Sequence, residues 1–419
     1  MAQATPDQVD ALLLFFCGAL VVLAAFGLAF FSGGMAGRAR ATRAFRFVLV
    51  GAAVTIVLAV LGGYGAVTGR PLIPHLLGVP DPGLAGLAGT ALAGTDPARA
   101  SPYPLARAGY LIAVLVVAAA VVAVAVASRV TLRAWIVFAA LWMPLVVYPV
   151  AYGVFALDDG WAVAGLHVVD FGGALVIVAA GGSAVGLLLA CGRGEHLPPL
   201  TPRPALTAIG GGALWVGWLG LVVGSEGALD AYASLMAVGG FLASAAGVLM
   251  WMLVDAVLLR RPTLTSALCG AFAGLVAVTA ASGVLTLGWC MLVGALSSLA
   301  CATMVDLAAR ARFGPALTLC VITIVGGLVG LLFPGLFATG SGMVDSGNFD
   351  LFIAQAIAGM SVLLYAVTVS LLLGLAVRFT IGLTRVRYRA GGGIRETHPV
   401  GPDRAVPPVP RGKDRTTAD

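Results

Sequence analysis

Charge is what this sequence has least of. Asp, Glu, Lys and Arg make up 10% of its 419 residues, against 60% hydrophobic ones, and the mean hydropathy is +1.04. A soluble globule of this size would lack the polar surface to face water, so the expected solvent is a lipid bilayer. Histidine is rarer still, with only His75, His167, His196 and His398 in the chain. None lies in the middle of an apolar run, which excludes an imidazole relay at mid-membrane. The six cysteines, Cys17, Cys191, Cys269, Cys290, Cys301 and Cys320, form no CxxC and no external pair. They read as small apolar packing residues. There is no Ser/His/Asp or Cys/His set, no metal-ligand cluster and no phosphate-binding loop, so the residues give no ground for an enzyme, a cofactor or a metal. No positive stretch precedes the first apolar run, and no cleavable signal is expected.

What the sequence has in abundance is long apolar runs. A transmembrane helix takes roughly 20 mostly apolar residues, and runs of that kind recur from Ala11 to about Thr384. The first five are expected at Ala11–Phe31, Phe45–Ala66, Leu105–Ala127, Ala134–Phe155 and Leu166–Leu189. Six more follow at Ala205–Val223, Tyr232–Leu258, Thr265–Leu285, Leu287–Ala308, Pro315–Phe337 and Leu351–Val377. The expected fold class is therefore all-α, a multi-pass membrane protein of about eleven spans.

The few charges sort themselves by gap. Arg38, Arg40, Arg43 and Arg46 follow the first span, Arg129 and Arg133 the third, Arg193 and Arg203 the fifth. Arg260 and Arg261 follow the seventh, Arg310 and Arg312 the ninth, and Arg385, Arg387 and Arg389 the last. The alternate gaps carry Asp158 and Asp159, Glu226 and Asp230, or Asp345 and Asp350. Cytoplasmic loops carry the Lys/Arg excess, which places the N-terminus outside and the C-terminus inside. The net charge of +6 is then a topology signal, and no nucleic-acid partner is needed to explain it.

Two stretches depart from the membrane pattern. Gly69–Pro104 is rich in Gly, Pro and Ala and reads as a long external loop folding over the outer mouth. The chain from residue 389 to residue 419 is too poor in apolar residues to fold and is expected to be a disordered cytoplasmic tail. The membrane domain is thus residues 1–388.

Local sequence carries the reading further. DGWAVAGLHVVDFGGALVIVAAGGSAVGLLLACGRG spans the fifth run, and ALWVGWLGLVVGSEGAL the sixth. GLAFFSGGMAGR, LRAWIVFAALW, RRPTLTSALCGAFAGLVAVTAASG and VGGLVGLLFPGLF follow in the same order as their counterparts in a known family. Over nearly all of Ala11 to Val386 the chain resembles the ammonium transporter (Amt/Mep/Rh) family. The resemblance implies eleven helices, with spans one to five and six to ten forming an inverted repeat, and one long final helix. It also implies homotrimers in the cell membrane, each subunit with its own narrow apolar pore for ammonium or ammonia. Glycine pairs such as Gly172-Gly173, Gly181-Gly182 and Gly326-Gly327 suit close helix approach.

The family's chemistry relies on aromatic faces and a serine at the outer mouth, stacked phenylalanines, and two histidines facing one another at mid-membrane. Carried over residue by residue, the pattern puts Val178 and Thr323 at the two histidine positions. Val114 and Leu221 take the places of the gate phenylalanines, and Phe155 that of the mouth tryptophan. Ser225 keeps the serine and Trp218 a pore-lining tryptophan. Asp170 aligns with an acid that shapes the outer binding region, although capping of span five by its carboxylate is an equal reading. Thr318 replaces a second acid in the tenth span. Asp255 aligns with a family acid and is a candidate partner for Arg260 or Arg261. His167 reads as a solvated or interfacial residue.

The expected function is a transporter or channel moving ammonium or ammonia through an aliphatic pore. A channel for another small neutral solute, such as carbon dioxide, or a non-conducting sensor or membrane scaffold stands as the alternative. In the family the cytoplasmic tail couples subunits, and a PII-class signalling protein docks on that face. Here the exit RFTIGLTRV is kept, but the acidic, GLD-containing continuation is missing, which removes the ground for carrying either coupling over.

Overall fold

A computed structural model of the chain describes residues 5–87, 101–192, 201–258, 261–310, 316–384, 388–390 and 393–395. In hydrocarbon every backbone N–H and C=O must be paired within its own element, and the apolar runs accordingly become helices. In chain order they are α1 (Pro6–Ala36), α2 (Arg38–Thr68), α3 (Tyr103–Val126), α4 (Leu132–Phe155), α5 (Ala174–Cys191) and α6 (Pro204–Gly224). Then come α7 (Ala231–Val257), α8 (Leu264–Val278), α9 (Leu287–Ala308), α10 (Leu317–Phe337) and α11 (Asp350–Thr380). Ten are long and apolar enough to cross a membrane, and α8, with 15 residues, is the short one.

The helix ends are set by local chemistry. Pro6 and Pro204 occupy first turns, where a missing N–H costs nothing. Thr131, Asp230 and Thr263 cap α4, α7 and α8 by accepting the N–H of Ala134, Ala233 and Ser266. At the opposite pole of α5, Arg378 donates to the carbonyl of Ala190 and Arg129 to that of Gly192, satisfying a helix C-terminus with cations. The two poles of the bundle are referred to below as the arginine end and the acidic end.

Glycine makes the packing possible. A Cβ on Gly247 of α7 would lie 2.3 Å from the carbonyl oxygen of Gly270 in α8, and one on Gly270 2.5 Å from that of Gly247. The two backbones are in direct contact, as membrane helices with small residues at their interface can be. Crossing of α1 and α6 works the same way through Gly27, Gly210 and Gly217. All six cysteines are buried and unbridged. Outward faces remain apolar, with Leu249, Leu253, Leu364 and Leu372 exposed, as a surface bathed in lipid must be.

Two expectations need correction. Span five does not start at Leu166: α5 begins at Ala174, and residues 167–173 before it are unwound. Span eight does not reach Leu285: α8 ends at Val278, and turns follow. An apolar run continues across both breaks, so composition alone cannot show them. Strands β3 (Tyr388–Ala390) and β4 (Gly393–Arg395) pair antiparallel. Residues 396–419, with His398, and residues 193–200, with His196, lie outside the described residues.

The described part of the external loop also has structure. Strands β1 (Pro71–Ile73) and β2 (Leu77–Gly78) form a small hairpin, held to the link after α4. The backbone N–H of His75 donates to Asp159 Oδ2 (2.8 Å), and Trp161 N–H to the His75 carbonyl (3.2 Å). The Tyr152 hydroxyl donates to the same carboxylate (2.9 Å). Those hydrogen bonds, led by that from His75, hold the Asp159 carboxyl below its ordinary range.

Candidate functional site

The two broken helices meet. Asp170 accepts the N–H of Ala174 on Oδ1 (2.7 Å) and that of Leu175 on Oδ2 (2.8 Å), and so starts α5. Gly173 at φ +75° gives the left-handed turn that lets the chain swing from the unwound strand into the helix. Just upstream, the N–H groups of Phe171 and Gly172 donate to the carbonyls of Ala280 and Thr279 (3.1 and 3.0 Å). Thus the unwound ends of α5 and α8 satisfy each other. Trp218 of α6 locks the junction, its indole N–H donating to Thr279 Oγ1 (3.0 Å) while its ring meets Phe272 edge-on at 4.8 Å. Irregular backbone at membrane depth is tolerated where it is buried in protein or lines a cavity, and discontinuous helices commonly build transport sites.

Above the junction, at the acidic end, a cavity of about 370 Å³ opens. Val114, Phe155, Asp170 and Ser225 all line it, so four of the sequence-predicted residues are brought together. Ser225 donates its hydroxyl proton to the Val222 carbonyl (2.7 Å), leaving the oxygen lone pairs as the acceptor it can offer a solute. Asp170 is 7% exposed, and its oxygens already serve the helix; capping is what the geometry displays, at the cavity wall.

Leu221, Trp218, Val178 and Thr323 lie beneath the cavity and are fully buried. Leu221 Cδ2 comes within 3.3 Å of where a Cβ on Gly172 would be, and the Tyr110 hydroxyl donates to the Leu221 carbonyl. Deeper, a Cβ on Gly327 would lie 2.6 Å from Val178 Cγ2, and one on Gly181 2.6 Å from Thr323 Oγ1. Each of the two positions aligned with histidines thus packs against a glycine of the opposing helix, at the interface of α5 and α10. Thr323 turns its hydroxyl back to the carbonyls of Leu319 and Cys320 (2.9 and 3.1 Å), inside a π-helical segment, Ile322–Gly326. Neither side chain can take up or relay a proton. With Leu221, both are fully buried beneath the cavity.

The remaining candidates sit apart. Thr318 is half-buried, nearer the arginine end than Thr323. Asp255 is buried and forms no ion pair with Arg261; Arg260 lies outside the described residues. His167 is exposed, at φ +56°. Among the described residues no group of three or more His, Cys, Asp or Glu side chains is placed to hold a metal ion.

Three cavity residues were not singled out from sequence. Tyr103 and Arg107 of α3 line one wall and Glu226 another. Arg107 carried a signal, since a charge within an apolar run is a functional candidate by default. Glu226 had been read only as part of an acidic gap. Burial, and then the neighbouring Asp230 charge, push its carboxyl up from the ordinary value.

Comparison with known proteins agrees with this architecture. The family model described as Ammonium Transporter Family matches residues 12–391. An ammonium transporter of Mycobacterium bovis is 32% identical, the alignment covering 94% of this chain and 90% of the relative. One from Bacillus subtilis is also 32% identical, over 81% of this chain and 83% of the relative. Among solved structures, Mep2 of Saccharomyces cerevisiae superposes with a TM-score of 0.79 at 22% identity, covering 92% of this chain and 89% of that one. A structure titled Sensor Amt Protein gives 0.78 at 18% identity, with 91% and 96% covered. These last two describe the shared fold. With the match of the family model over nearly its whole length, the chain belongs to the ammonium transporter family.

Proposed function

We propose that this multi-pass protein carries ammonium or ammonia across the cell membrane, entering at the acidic end, which faces outside, and leaving at the arginine end inside. The observation that carries the reading is the lined cavity above the crossed, unwound ends of α5 and α8. It presents Phe155, a ring of the kind that attracts a cation, the Ser225 oxygen and Val114, and beneath it the buried Leu221, Val178 and Thr323 read as a plug. Membership of the family supports the same solute, and it supports homotrimeric assembly and the inverted repeat of five and five helices.

Chemistry at the plug follows from what it contains. Desolvating an ammonium ion in an apolar neck is expensive, and no imidazole is present at Val178 or Thr323 to accept its proton. Passage through the plug requires side-chain motion of Leu221, which packs on Gly172, and of Val178, which packs on Gly327.

The test is an ammonium concentration jump on purified protein in sealed liposomes, with current and internal pH recorded together. Current, or alkalinisation faster than in protein-free liposomes, is the expected outcome. Silence in both from folded protein would replace the transport reading by a non-conducting sensor or scaffold.

A further inference from the structure

We propose that Gln355, on α11, is a positioning residue of the outer vestibule: its side chain holds the unwound segment before α5 in place and so sets the affinity for ammonium. The inference rests on the transport reading above and adds to it a residue that does not itself line the cavity.

Val168, Val169, Asp170, Phe171 and Gly172 all line the cavity, so the shape of the mouth depends on how this unwound backbone is held. Within an α-helix the Val169 carbonyl would accept the N–H of Gly173, but Gly173 turns away at φ +75°. Among the described residues no backbone N–H replaces it. The Gln355 amide does so instead, with Nε2 donating to the Val169 carbonyl at 2.9 Å. Phe171 and Gly172 are tied to the end of α8 through their N–H groups, and Asp170 to the start of α5. Gln355 fixes the segment from a third element.

The amide comes at a cost. Gln355 is fully buried, and its Oε1 has no hydrogen-bond partner. A buried acceptor left unpaired is destabilising, and a methionine or leucine would avoid that penalty, so packing gives no reason for an amide here. What the amide adds is its donor to Val169. Its mounting is rigid: a Cβ on Gly335 of α10 would lie 2.4 Å from Phe352 Cα, one turn before Gln355, and one on Gly359, one turn after, 3.0 Å from Leu328 Cδ2 of α10. A donor seated on such close helix packing restrains the vestibule wall.

The experiment uses full-length protein in liposomes, with initial ammonium-driven rates recorded over a range of concentrations for wild type, Q355M and Q355E. Q355M keeps the length and removes the donor; Q355L repeats the deletion should Q355M not assemble. Loss of the hold should raise the half-saturating ammonium concentration about threefold or more, while the maximal rate stays within about twofold of wild type. Hydrogen exchange should quicken at the Phe171 and Gly172 amides and stay as in wild type along α7. Q355E, assayed near about pH 5, where a buried carboxyl is protonated and donates as the amide does, should return both readouts toward wild type. A wild-type rate that does not saturate, a Q355M half-saturation equal to that of wild type, or a fall in maximal rate alone overturns the proposal and leaves transport standing. Q355E still behaving like Q355M at acid pH overturns it too, because the donor would then not be what matters. Wild-type silence in both current and lumen pH removes the transport reading, and the affinity role with it.

Discussion

Asp170 holds two backbone N–H groups on one carboxylate, and the cost of losing them can be separated from any contact with solute. Asp170→Ala leaves both N–H groups buried without an acceptor, and should lower stability by about 2 kcal/mol or more. Asp170→Asn keeps one acceptor oxygen and should fall between. Thermal unfolding in detergent reads the order, and an unshifted midpoint for the alanine variant would refute the capping role. Asp159, at the surface, offers a pH test. Its folded pKa lies below the unfolded value, so its contribution is complete above the unfolded pKa, near 3.9, and fades as pH falls through the lower folded one. Hydrogen exchange at the His75 and Val79 amides should therefore accelerate below about pH 4. Asp159→Asn should flatten that dependence; a variant that keeps the acid acceleration would place the titrating group elsewhere.

At the level of elements, the apolar runs placed most helix starts within two residues, but those of α1 and α2 lie earlier, at Pro6 and Arg38, since polar residues open both helices. The arginine gaps mark one end of the bundle. The breaks at residues 167–173 and after Val278 could not be read. They exist because Phe171 and Gly172 pair with Ala280 and Thr279, a contact between segments a hundred residues apart. Hydropathy averages over such breaks, since Val168, Val169, Ala280 and Ala281 are as apolar as the helices they interrupt. The same junction predicts a coupling. Trp218→Phe removes the bond to Thr279 and should cost about 1 kcal/mol; Thr279→Val removes that bond and also the one its hydroxyl donates to the Leu275 carbonyl, and should cost more. Combined, they should cost clearly less than the sum, because the Trp218–Thr279 bond is lost in both. Strict additivity in a double-mutant cycle would show that Trp218 acts through packing on Phe272 alone.

For the whole molecule, the question is what a path through the bundle can do once its histidines are gone. Their absence was plain in the sequence, as was the aliphatic character of Val114 and Leu221; the charge on the vestibule wall, Arg107, was missed because it sits in a run read for hydropathy. The structure adds that Val178 and Thr323 each pack against a glycine of the opposing helix. Both positions are therefore brought to one helix–helix interface while the imidazoles themselves are missing. Supplying them by Val178→His together with Thr323→His puts two imidazoles, able to take and pass protons near neutral pH, at that interface. The double variant should raise ammonium-dependent current in liposomes. Overpacking is the competing effect, costing roughly 1–3 kcal/mol, so unfolding midpoints must accompany the currents. A folded, normally assembled double variant with no current would mean that Leu221, and not the missing imidazoles, closes the path to charge.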